Sequence, residues 1–124
     1  MRVFKNKGFS KWAEKEGLDD DALLTAVNEM NRGLIDADLG GHVVKKRIAL
    51  AGRGKSGGVR TLLVYISGNK AFFVYGFAKS ARANISEDEL KALKHLAKEL
   101  LSYTDKTLAE TITRGALIEV KNDE

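Results

Sequence analysis

The sequence predicts a single α+β domain, with an N-terminal helical hairpin packed on a small, mainly antiparallel sheet of about four strands and further helices towards the C-terminus. Three observations carry this. Apolar residues recur at helical spacing before Gly40-Gly41 and after Ser86, with β-branched and aromatic runs between them. A chain of 124 residues with 44% hydrophobic content can bury one core and is too short for a second domain. It has no proline, and no Ser- or Gly-rich linker marks an internal boundary, so residues 1–120 read as one domain and 121–124 as a frayed tail.

Each element has a local reason. Phe9, Trp12 and Ala13 fall at i, i+3, i+4 and Gly17 supplies a stop, which predicts a helix over Gly8 to Glu16 with Trp12 as a core anchor. Asp19, Asp20 and Asp21 open a second helix, acids lying where the helix dipole favours them, and Leu23, Val27, Met30 and Leu34 form its stripe. The period then changes. Val43 to Leu50, Arg60 to Ile66 and Ala71 to Ala78 read as strands, the last two joined by the turn Ser67-Gly68-Asn69-Lys70. Leu62 to Ile66 and Phe72 to Tyr75 run without alternation, so both faces of the sheet should be largely covered. Ser86 and Glu89 form a capping box that starts a third helix, with Leu90, Leu93, Ala97 and Leu100 inward and Lys91, Lys94, His95 and Lys98 outward. Thr104 caps a short fourth helix ended by Gly115, and Ala116 to Val120 is a last strand that must return to the sheet to bury its apolar residues.

Charge is distributed unevenly. From Leu39 to Ser86 there are nine Lys or Arg and no Asp or Glu, while the remainder carries 12 basic residues against 17 acidic ones. The overall charge of +4 therefore conceals a block of +9. Such a block attracts polyanions, because neutralising phosphates releases their condensed counterions, and nucleic acid is the expected partner. The same block lacks the carboxylates that hold Mg²⁺, and the chain has no Cys and only His42 and His95, so neither metal nor other cofactor is expected. The missing cysteines fit a reducing cytosol, and no signal-like or membrane-spanning apolar run is present, so a cytoplasmic protein without membrane contact is expected.

The Gly-rich segment Ala51 to Arg60 has two readings. Gly54-Lys55-Ser56 invites comparison with a nucleotide-binding P-loop, but the motif's first glycine would fall at Ala49, and a strand rather than a helix follows. The alternative is a flexible hairpin connection that carries Arg53 and Lys55 outward and delivers Arg60 at the start of the next strand, its glycines permitting close approach to a phosphate.

Taken in order, these pieces resemble the RelE/ParE superfamily of bacterial toxins, and most closely its RelE/HigB-like branch. The resemblance rests on two N-terminal helices, the basic strand Lys45-Lys46-Arg47, Lys-Ser-Gly-Gly-Val-Arg ending at Arg60, Phe-Phe-Val-Tyr-Gly-Phe-Ala-Lys ending at Lys79, and Arg-Ala-Asn-Ile from Arg82. It implies a RelE-like fold and the toxin of a type II toxin–antitoxin system, partnered by an antitoxin encoded nearby. It further implies a metal-independent mRNA endonuclease that works on the ribosome and inhibits translation. Such cleavage needs only in-line attack by a 2′-hydroxyl on the adjacent phosphate, with protons moved and the phosphorane charge stabilised.

By position in the motif, the resemblance implies that Arg60 contacts the scissile phosphate and that Lys79 and Arg82 contact phosphate or stabilise the leaving group. Among Lys45, Lys46 and Arg47, one lysine could act as base if its positive neighbours lower its pKa, with Lys46 the catalytic candidate; the other reading is plain RNA or ribosome binding. Arg53, Lys55 and Phe77 complete the expected RNA contacts, Phe77 by stacking on a base or else by packing in the core. Where relatives have a tyrosine or second arginine beyond the third strand, this chain has Ser80, Ala81 and Ser86, which shifts that role to Tyr75, Phe77 or His42. Two other readings remain open: a ParE-like inhibitor of DNA gyrase, and a non-catalytic or decayed nucleic-acid-binding module.

Overall fold

In the computed structural model the apolar runs of the middle third pair at the centre of a six-stranded mixed sheet. The elements in chain order are β1 (Arg2–Asn6), α1 (Lys7–Glu16), α2 (Asp20–Asn31), β2 (Ala37–Asp38), β3 (Val43–Leu50), β4 (Gly54–Ile66), β5 (Lys70–Ala78), α3 (Glu87–Leu101), α4 (Asp105–Thr113) and β6 (Leu117–Val120). The structure describes residues 1–50 and 54–121, for 54–56 the backbone alone. The expected tail therefore lies, beyond Lys121, outside the described residues.

Strand order is β2-β3-β4-β5-β1-β6. All neighbours are antiparallel except β1 and β5, which run parallel with Phe4 beside Phe72. Those two rings stack at 4.9 Å between centroids. The expectation of about four strands is corrected to six, because β1 and β2 were not foreseen. β1 is buried on both sides: Val3 belongs to one apolar cluster and Phe4 to the other. Its charged residues are paired, Arg2 with Glu119 of β6 at 2.9 Å and Lys5 with Asp20 at 2.8 Å.

Helices cover both faces. Phe9 and Ala13 of α1 and Leu23, Ala26, Val27 and Met30 of α2 pack with Val44, Ile48, Val59, Leu63 and Phe73. On the other face Ala97 and Leu100 of α3 and Leu108 of α4 pack with Val43, Val64, Phe72 and Val74. The N-terminal helices are not a mutually packed hairpin; α1 lies over β5 and β1 while α2 lies over β3, each closing its own stretch of the same face. Leu34, expected in the second stripe, follows the end of α2 and is exposed.

The caps are as the sequence dictates. Asn6, Asp19, Ser86 and Thr104 each accept a hydrogen bond from a backbone N–H of the first turn, and Ser86 with Glu89 forms the full capping box. A bulge between Leu62 and Leu63 inserts Val74 opposite the ladder, so Val74 and Tyr75 share a face and strict alternation is lost.

Trp12 is half-buried, its ring lying over Gly76 of β5. A Cβ at Gly76 would fall inside that ring. Gly76→Val should therefore destabilise the fold by about 1–3 kcal/mol, the usual cost of overpacking, and shift the emission of Trp12, both readable in one urea titration followed by fluorescence.

Candidate nucleic-acid interface

The period of two along a strand decides which basic residues act together. Cross-strand register sets Arg47, Arg60 and Phe77 side by side, with Lys45, Leu62 and Tyr75 in the next row. This is the face that α3 and α4 cover further along; their apolar cluster ends at Val43, Val64 and Val74, and beyond it the sheet carries the charged row. Lys46 points to the opposite face. Its Nζ lies 2.8 Å from Oε1 of Glu29 and donates to the Leu34 carbonyl at 2.9 Å, beneath α2. Against the expectation of Lys46 as a catalytic base, alternation places it under a helix, on the face away from Arg60, with its ammonium held by Glu29 and the Leu34 carbonyl.

Arg60 lies within β4, not at the start of a strand, and is 9% exposed. Its Nη1 is buried and has no hydrogen-bond partner among the described residues. Directly opposite stands Arg47, a like charge that by itself disfavours the pairing. Arg47 is drawn outward by Asp36, whose carboxylate accepts from both its backbone N–H and its Nε. Burial raises the Asp36 pKa, but these hydrogen bonds outweigh it and leave the group below the ordinary carboxylate range.

Arg82 is locked in place. Its guanidinium meets both carboxylate oxygens of Glu89 at 2.9 and 2.6 Å, donates to the Asn84 carbonyl at 2.8 Å and reaches the Tyr75 hydroxyl at 3.3 Å. It also lies over the Phe77 ring, 5.7 Å from the centroid. Phe77 is buried, and Tyr75 sits 6.2 Å from it between ring centroids. Lys79 is exposed and Lys45 half-exposed. Arg53 lies outside the described residues, and of Lys55 only the backbone, in β4, is described.

The Gly-rich segment is therefore no P-loop: Gly54 to Gly58 belong to β4. Gly58 has a structural reason of its own, since a Cβ there would strike the Ile48 carbonyl of β3. His42 stands at the start of β3, five residues before Arg47 and so about 16 Å along the strand from the row containing Arg60, which removes it from this group.

Sequence reading missed the acids. Asp36, Glu29 and Glu89 all lie outside the acid-free block, yet they fold back onto Arg47, Lys46 and Arg82. Glu89 was visible only as a capping residue. Its pKa is lowered to about 2, chiefly by the Arg82 hydrogen bond and then by the Ser86 backbone N–H. A carboxylate more acidic in the folded chain than in the unfolded one stabilises the fold above the ordinary value of 4.5, and that contribution is lost as pH falls towards 2. Thermal unfolding followed by circular dichroism should show wild type and Glu89→Gln separated by a constant interval above pH 4.5, closing as the pH approaches 2. An interval that does not narrow in acid would show that Glu89 is not linked in this way.

Residues 1–120 match the family described as the RelE toxin of the RelE/RelB toxin–antitoxin system, and the chain belongs to that family. It is thus a toxin of the toxin–antitoxin class, and the family implies a protein antitoxin as partner. No curated protein matches the sequence. Among the described residues no helix is long and apolar enough to cross a membrane.

Proposed function

We propose that the protein is a ribosome-dependent, metal-independent mRNA endonuclease of the RelE/HigB-like branch that acts in the cytoplasm and is restrained by its antitoxin. The observation that carries this reading is Arg60, buried with Nη1 unpartnered among the described residues and a second arginine opposite. Leaving a buried donor unsatisfied costs stability. Nη1 is shut off from solvent, so the groups over it must shift for a phosphate oxygen to reach it; a phosphate there would satisfy it, and a phosphorane, which carries more charge, would do so better.

An RNA strand crossing this face has Lys45 and Lys79 for its flanking phosphates and Arg60 beneath the scissile one. Deprotonation of the 2′-hydroxyl lets its oxygen attack phosphorus, the P–O5′ bond breaks, and the leaving oxygen takes a proton. The products are a 2′,3′-cyclic phosphate and a 5′-hydroxyl. Tyr75 supports the role that the family's tyrosine would fill: its hydroxyl stands 3.3 Å from Arg82 Nη1, in the row next to Arg60. Arg82 then acts by holding Tyr75 and covering Phe77, anchored through Glu89.

The test is to induce the chain alone in a bacterial host and map new 5′ ends on translated and untranslated versions of one message. Cuts confined to the translated message support the reading. Growth arrest with DNA damage and no cuts would favour a gyrase inhibitor, and no arrest a protein that only binds.

A further inference from the structure

A second cationic site lies away from the row containing Arg60. Gly40, Gly41 and His42 all take left-handed backbone angles, with φ of 83°, 60° and 67°. His42 is the only non-glycine residue described with positive φ, a conformation that costs a histidine energy unless the turn requires it. The strained turn brings His42 against α3, and between them opens a cavity of about 370 Å³. Lys91, Lys94, His95 and Lys98 of α3 line it, with Leu101 at its end. The Lys94 stem packs directly on Gly41.

No carboxylate lines this cavity. Of the acids around it, Asp38 accepts from the Gly40 N–H and Glu99 from the Tyr103 hydroxyl, while Glu87 and Asp88 lie one turn before Lys91 on α3. None of the three lysines has an ion-pair partner among the described residues. The fold thus gathers three lysine side chains and two imidazoles around one hollow, whose wall is mostly aliphatic lysine stem with the ammonium groups free to meet a ligand at its rim. Helical rise spreads Lys91 to Lys98 over about 10 Å, long enough for consecutive phosphates of a strand. Apart from the imidazoles of His42 and His95 the wall offers no aromatic ring, and it has no amide or hydroxyl side chain, so its lysines would position a strand through phosphates without specifying sequence.

We propose that this cavity is a second RNA subsite, binding the phosphodiester backbone outside the cleavage site and thereby fixing the orientation of the bound RNA. The inference rests on the RNA reading given above. It is tested by fluorescence anisotropy of a labelled single-stranded RNA over a salt series, using the full chain, the variant K91Q/K94Q/K98Q and the charge-keeping K91R/K94R/K98R. Removing three phosphate contacts should flatten the slope of log K against log salt by about 2, weaken binding across all RNA sequences, and leave the Arg variant close to wild type. An unchanged slope in the Gln variant, with wild type binding RNA, would overturn this subsite alone. No RNA binding by wild type would overturn the RNA reading as a whole. A poly-glutamate chain that binds wild type more tightly than RNA of equal charge, and is lost in the Gln variant, would assign the cavity to an acidic protein segment instead.

Discussion

Arg60→Met should slow RNA cleavage about 10²–10³-fold and leave the folded state at least as stable as wild type. The two effects have one cause. Nη1 of Arg60 is buried without a partner among the described residues, and Arg47 faces it across the ladder. An unsatisfied buried donor costs about 1–3 kcal/mol. Methionine keeps most of the aliphatic volume in the strand while removing that penalty. Catalysis loses the group aimed at the developing phosphorane charge, which should lower the rate about 10²–10³-fold by analogy with deleting one oxyanion donor. Urea denaturation and growth arrest measured side by side check the pair. A destabilised variant would mean that Arg60 is a structural residue, and a stable, fully toxic one would mean that it has no part in the chemistry. Sites built for function often trade stability in this way.

Lys46→Ala should do the reverse. The Lys46 ammonium joins Glu29 of α2, the Leu34 carbonyl and β3, with its side chain 3% exposed against 24% for Glu29. Breaking a buried ion pair from one side costs about 3–5 kcal/mol, and the partial exposure of Glu29 puts the expected loss near 3. The double change Lys46→Met with Glu29→Leu should recover most of it, because well-packed apolar residues replace a buried pair at little cost. Cleavage per folded molecule should be unchanged in Lys46→Met. A specific loss of cleavage in a folded Lys46→Met protein would return this lysine to the chemistry.

Local signals made much of the fold legible. Helix caps at Asp19, Ser86 and Thr104, the stop at Gly17 and the turn after Ile66 each act within a few residues, and each is found where the sequence places it. β1 was illegible because its strand character is supplied by distant partners: Arg2 to Lys5 pair with Lys70 to Phe73 on one side, and Val3 to Asn6 with Leu117 to Val120 on the other. β2 is two residues long and defined only by Lys45 and Val44 opposite. The charged row was half legible. Lys45, Arg47 and Arg60 fall on one face, but three consecutive basic residues cannot share a face of a strand, and period two sends Lys46 away. The acid-free block misled in the same manner. Asp36, Glu29 and Glu89 lie just outside it in sequence and reach into it in space, neutralising Arg47, Lys46 and Arg82 and leaving Arg60 as the buried cation of the row.

The most direct measurement is the single-turnover rate at which purified wild type and Arg60→Met cut a ribosome-bound message, read as the appearance of 5′-hydroxyl ends. The proposed mechanism predicts cuts by wild type that leave 5′-hydroxyl ends and a rate at least about 100-fold lower for the folded variant. Equal rates for the two proteins, or cuts that leave a 5′-phosphate, would contradict it.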